Sequence, residues 1–113
     1  MTSPTMHELR IDQWAGAGRH VLMLSGSLDL DSAAELESVL ARLAVDGAQE
    51  IELDLRDLEF LDSAGLAALL ACRDLCAEGG TACYVVSGRG AADKLLSLTG
   101  LQGVLPGRAP TFD

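Results

Sequence analysis

Residues 51–71, IELDLRDLEFLDSAGLAALLA, join a strand-like run to a helix-like one, with a serine at the junction. Ile51, Leu53 and Leu55 alternate with Glu52, Asp54 and Arg56, the period of two expected of a β-strand. From Ser63 the apolar spacing turns helical, runs to about Glu78 and stops at Gly79-Gly80. A second apolar run, ACYVVS, follows at once. Two strands separated by a crossover of helix length cannot close as a hairpin. They lie parallel in one sheet, with the helix packed across its face.

The rest of the chain extends this unit. MHELRIDQW carries a weak alternation that reads as a first strand, AGAG as a turn and HVLMLSGSL as a buried second strand. DLDSAAELESVLARLAVDG predicts an amphipathic helix with the stripe Leu36, Val39, Leu40 and Leu43. Ser32 and Glu35 have the spacing of a capping box, and Gly47 marks the stop. GRGAADKLLSLTG reads as a turn and a short third helix. In the tail LQGVLPGRAPTFD, Pro and Gly favour fraying, while Val104 and Leu105 are placed to dock or to add an edge strand. The expected fold class is α/β. It is a single domain over residues 1–113, ordered from about 7 to 105 between flexible termini. Its mixed sheet has four to five strands, with helices packed mainly on one face. With 49% hydrophobic residues in 113, one core needs neither disulfides nor metals.

Charge narrows the partners. Seventeen acidic residues against eight basic ones give a formal charge of −9. Such a surface repels phosphate backbones and anionic lipid, so neither nucleic acid nor a membrane is expected as a partner. No apolar run reaches the length of about 20 residues that spans a bilayer. MTSPTMHELR lacks the basic start and apolar stretch of a signal peptide, and the expected location is cytoplasmic. There Cys72, Cys76 and Cys83 read as reduced, small hydrophobes.

A serine between a strand and a helix fits a nucleophile, a helix cap, a ligand contact or a modification site. The nucleophile reading asks for G-x-S-x-G and a general base. Here the serine sits in L-D-S-A-G, both histidines (His7 and His20) lie upstream, and Lys94, the one lysine, follows no S-x-x-K pattern. No catalytic residue and no enzymatic activity are expected. The three cysteines form no C-x-x-C and have no histidine at ligand spacing. VVSGRGAAD places Gly88 and Gly90 between a strand and a helix, but Asp93 replaces the third glycine of a dinucleotide-binding turn. No metal and no cofactor are expected. Capping, by Asp62 or Ser63, is the plain structural alternative.

The helical wheel adds a second feature. Ala68, Leu69, Cys72, Leu75 and Cys76 share a core arc, and Asp74 and Glu78 face solvent. Leu66 and Leu70 fall on the flank beside Ser63 and, with Ala67 and Ala77, predict an exposed or half-exposed docking stripe. A phosphate on Ser63 would add about −1.5 to −2 charges beside that stripe. The N-terminus of a helix tolerates the charge, so modification would alter binding without unfolding the domain.

DLRDLEFLDSAGLAALL resembles the signature segment of STAS domains, particularly bacterial anti-sigma factor antagonists, and SGSLDLDSAAEL resembles their G-x-L-D turn. In element order the resemblance covers roughly residues 7–105. It implies a non-enzymatic domain whose unphosphorylated form binds an anti-sigma factor and so releases a sigma factor. That partner is implied to be a serine kinase of the histidine-kinase-like ATPase type, which uses Mg-ATP to phosphorylate Ser63. A phosphatase then resets the cycle. The implied partner contacts are Asp62, Ala64, Gly65, Leu66 and Leu70 around Ser63, with Asp29, Asp31 and Ser32 after the second strand. Many relatives carry a second hydroxyl directly after the first, where this chain has Ala64. The family also includes scaffold subunits of stress-sensing or lipid-transport complexes and modules that bind small ligands or nucleotides. For the last role Arg73, Arg89 and Lys94 are the available cations. The free domain is expected to be a monomer.

Overall fold

The computed structural model describes residues 7–101 and 105–113. Its elements are β1 (Arg10–Gly16), β2 (Arg19–Leu28), α1 (Ala33–Val45), β3 (Glu50–Leu61), α2 (Ser63–Glu78), β4 (Ala82–Val86) and α3 (Ala91–Thr99). β1 and β2 form an antiparallel hairpin in which Gly16 pairs with Arg19. Only Ala17 and Gly18 are left for the turn, and both have positive φ, at 53° and 77°. Two consecutive left-handed residues give the turn whose twist matches the flanking strands.

β2, β3 and β4 are parallel neighbours, and the sheet order β1-β2-β3-β4 follows the chain. This is a four-stranded mixed sheet with three helices, as the alternation of strand and helix patterns required. Leu22 and Leu24 of β2 and Ile51, Leu53 and Leu55 of β3 form one core with Leu36, Leu40 and Leu43 of α1, Leu69, Cys72 and Cys76 of α2, and Leu96 of α3. Burial of about ten leucine-sized side chains in one cluster is the main stabilising term, at roughly 1.5–3 kcal/mol each before entropy is set against it.

The opposite face of the sheet departs from the usual half-wet pattern. Glu52 and Asp54 alternate with the core leucines, yet they are only 1% and 6% exposed. The C-terminal tail covers Glu52, whereas Asp54 is paired with Arg56 at 2.7 Å, and that guanidinium also donates to the Phe112 carbonyl of the tail. Val85 of β4 donates from its N–H to the Pro106 carbonyl (2.8 Å) and accepts from the Arg108 N–H (3.1 Å), a bridge centred on Gly107. Farther on, Arg108 reaches Glu50 (2.8 Å) and Glu52 (3.2 Å) with its guanidinium over the Tyr84 ring. Thr111 donates from both its N–H and its hydroxyl to Glu52, and Arg19 bonds the same hydroxyl. Phe112 closes the crossing edge-to-face on Trp14, at 5.4 Å between centroids. A buried carboxylate this fully paired is tolerable where an unpaired one is not.

Leu105 is buried, so the residue placed to dock does dock, while Val104 lies outside the described residues. The polar contacts of residues 106–112 had no signal in the Pro- and Gly-rich tail. The capping box is a further correction. Ser32 precedes α1 but makes no side-chain cap; its hydroxyl is engaged backward, donating to the Ser27 carbonyl at 2.9 Å.

Candidate functional site: two loops at one end of the sheet

β2 and β3 end side by side, with Leu28 paired to Leu61. The chain leaves both strands at the same end of the sheet, so Asp29–Ser32 and the start of α2 emerge as neighbours. The Asp62 N–H points to the Leu28 carbonyl at 3.4 Å. A Cβ at Gly65 would lie 2.2 Å from that carbonyl oxygen and 2.7 Å from Leu61 Cδ1. No other residue type lets the first turn of α2 approach β2 so closely. Gly65 is therefore what holds the two loops together.

Asp62 is the N-cap of α2. Its backbone is extended and its Oδ1 accepts from the Gly65 N–H at 2.8 Å, which satisfies one of the free donors of the first turn. Since the aspartate caps, the serine is released from that task. Ser63 is the first helical residue, exposed, and its hydroxyl makes no hydrogen bond to any described residue. Ala64 beside it is half-buried and offers no second hydroxyl.

The neighbouring loop is tied by its own side chains. Asp29 Oδ1 accepts from the N–H groups of Asp31 (3.0 Å) and Ser32 (3.2 Å), and Ser32 Oγ accepts from the Asp29 N–H (3.0 Å). The Asp29 carbonyl takes the N–H of Ala33 at 2.9 Å, so this aspartate starts α1 as well as folding the loop. Asp31 and Leu30 are exposed at its tip, and Asp29 and Ser32 are half-buried. Polar neighbours hide Leu30 in the sequence, and an apolar residue between two aspartates in a turn is its one signal.

The structure corrects the docking stripe. Leu66 is 6% exposed and belongs to the core. Leu70 is half-buried against that core, and only Ala67 and Ala77 of the expected stripe are exposed. The wheel assumed a helix packed on one neighbour. α2 packs on the sheet and on α1 together, which widens its buried arc until Leu66 falls inside it. The surface at Ser63 consists instead of Ser63, Ala67 and the edge of Leu70, next to the Asp29–Ser32 loop.

Nothing gathers the elements of the other chemistries among the described residues. Cys72 and Cys76 are buried and Cys83 is half-buried; all three are free. Burial pushes the Cys72 thiol up to about 12, so it stays protonated at neutral pH. No cluster of three or more metal-ligating side chains occurs there. Arg73 lies on α2 and pairs with Asp74, Arg89 is exposed in the turn before α3, and Lys94 is exposed on α3. A groove of about 300 Å³ between α1 and α2 is lined by Ala41, Ala44, Val45, Leu75, Glu78 and Gly79, with none of these cations. No helix among the described residues is long and apolar enough to cross a membrane.

With this geometry in view, the comparisons with known proteins are specific. The STAS domain family profile matches residues 13–113. The chain is similar to the anti-sigma-B factor antagonist of Staphylococcus aureus, 26% identical over 82 residues that make up 73% of this chain and 76% of the relative. It is also similar to the anti-sigma-F factor antagonist RsfB of Mycobacterium tuberculosis, 39% identical over 54 residues, 48% of this chain and 44% of that one. Among solved structures, an anti-sigma factor antagonist from Mycobacterium paratuberculosis superposes with a TM-score of 0.79 at 28% identity, covering 92% of this chain and 88% of the other.

Proposed function

Because the chain belongs to the STAS domain family, we propose that it is an anti-sigma factor antagonist switched by phosphorylation of Ser63. The unphosphorylated domain binds an anti-sigma factor, and the sigma factor held by that protein is released. The anti-sigma factor is itself a serine kinase of the histidine-kinase-like ATPase type, and a phosphatase reverses its action. The domain works as a cytoplasmic monomer and supplies no catalytic group. The names of its relatives support the partner class.

The observation that carries the switch is the division of labour between Asp62 and Ser63. Asp62 caps the helix and Ser63 stands exposed with its hydroxyl unengaged. In the transfer, Ser63 Oγ forms a bond to the γ-phosphorus of ATP, the bond to the ADP oxygen breaks, and the hydroxyl proton passes to a base on the kinase. The product is a dianion at a helix N-terminus, where the dipole favours negative charge. The fold therefore tolerates it. The interface does not, because the dianion beside Asp62, next to a loop that carries Asp29 and Asp31, must lose its water against the partner.

Ser63→Ala should bind the anti-sigma factor whether or not ATP is present, and Ser63→Asp should bind at least about 10-fold more weakly. Both variants should unfold at the wild-type temperature. Equal binding of the two variants would remove the switch and favour a scaffold role in a stress-sensing or lipid-transport complex.

A further inference from the structure

Leu30 is 77% exposed, yet the loop that carries it is closed by hydrogen bonds on either side. Asp29 Oδ1 holds the N–H groups of Asp31 and Ser32, and Ser32 Oγ links the Asp29 N–H to the Ser27 carbonyl. The Leu30 side chain takes no part in these bonds. It is an isobutyl group presented to solvent from a fixed base, already ordered in backbone and awaiting burial. Such preorganisation lowers the entropic cost of binding.

The other large exposed hydrophobics among the described residues are Trp14, Phe112, Val45 and Leu98. Trp14 and Phe112 pack on each other, Val45 ends α1, and Leu98 lies in the last turn of α3. Leu30 alone extends from a strand end that is hydrogen-bonded to the N-cap of α2, through the Leu28 carbonyl and the Asp62 N–H. It therefore leaves the sheet at the end where Ser63 opens α2. The side chains beside it on that loop are Asp29 and Asp31, on a chain of formal charge −9. Asp29 is half-buried and folds the loop, and Asp31 is exposed beside Leu30; an apolar group flanked by an exposed carboxylate is complementary to an apolar socket rimmed by Arg or Lys.

We propose that Leu30 is the apolar anchor of the partner interface, seated in a basic-rimmed apolar socket on the anti-sigma factor. This rests on the antagonist reading of the Ser63 surface and adds the residue that fixes the docked pose. Anchor and carboxylate divide the kinetics. Burial of Leu30 governs how long the complex lasts, and the exposed carboxylate of Asp31 governs how fast it forms.

The test is a kinetic binding series against the purified anti-sigma factor kinases of the same genome, with wild type, Leu30→Ser, Leu30→Met, Asp31→Asn and Ser63→Asp. Leu30→Ser should weaken binding about 10- to 30-fold, almost wholly through faster dissociation. Leu30→Met should restore binding to within about threefold. Asp31→Asn should slow association and flatten its salt dependence. Leu30→Ser should leave the unfolding temperature unchanged, since the side chain is outside the core. If Leu30→Ser binds within twofold of wild type while Ser63→Asp loses binding, the anchor is wrong and the antagonist reading stands. If wild type binds none of these kinases, both are overturned.

Discussion

The carbonyl oxygen of Leu28 and the α-carbon of Gly65 are so close that a methyl group on Gly65 would lie 2.2 Å from the oxygen. The contact is backbone to backbone, so no side chain can rotate away to relieve it. It joins the turn after β2 to the first turn of α2, and the proposed interface is made of those two segments.

Gly65→Ala should therefore do more harm than a helical Gly→Ala substitution elsewhere. Helix propensity favours alanine by about 1 kcal/mol, while forced separation of packed backbones costs about 1–3 kcal/mol or more. A net loss of about 1–2 kcal/mol in urea unfolding is expected, with weaker binding of the anti-sigma factor as the loops move apart. A gain in stability would mean that the two segments are not held in contact.

Leu66 and Ala67 separate burial from docking. Leu66→Asp places a carboxylate in the core and should cost about 3–5 kcal/mol, enough to unfold a domain of this size. Ala67→Asp lies on the exposed side of the same helix. It should change stability by less than about 0.5 kcal/mol while reducing partner affinity. Circular dichroism and a binding assay on the pair distinguish the two effects.

The ion pairs of Glu50 with Arg19 and Arg108 make stability depend on acid. The Arg19 hydrogen bond is the largest influence on Glu50 and holds its carboxyl below the ordinary value of 4.5; burial opposes this, and Arg108 adds to it. A carboxyl with a lower pKa folded than unfolded contributes stability above the ordinary value and loses it as pH falls through the folded one. Glu50→Gln should cost about 1 kcal/mol at pH 7, and the difference from wild type should shrink below about pH 4.5. Trp14, the one tryptophan, meets Phe112 of the tail edge-to-face and reports the unfolding. A difference that stays constant from pH 7 to pH 3 would contradict this.

The fold was legible because its signals are local and periodic. Ile51, Leu53 and Leu55 announced β3, Gly79-Gly80 ended α2, and the spacing between apolar runs dictated parallel strands. The position of Ser63 was legible for the same reason, as the point where the period changes. What escaped depends on contacts between segments distant in sequence. The exposure of Leu66 could not be judged without knowing that α2 meets both α1 and the sheet. Glu52 gave no sign that residues 106–112 would cover it, because Pro and Gly in a tail describe a lack of regular structure and not a lack of partners. The hydroxyl of Ser32 fitted a capping box by spacing, but its oxygen accepts from the Asp29 N–H and its proton goes to the Ser27 carbonyl.

The proposed switch is the Ser63 hydroxyl left free by the Asp62 cap. Intact-protein mass spectrometry tests it after incubation with each anti-sigma factor kinase of the same genome and Mg-ATP, using Ser63→Ala as the control. One added phosphate is expected on the wild-type chain, none on the variant, with loss of the complex as the phosphate appears. A phosphate that persists on Ser63→Ala, or a wild-type chain that stays unmodified while bound to the kinase with ATP, would contradict it.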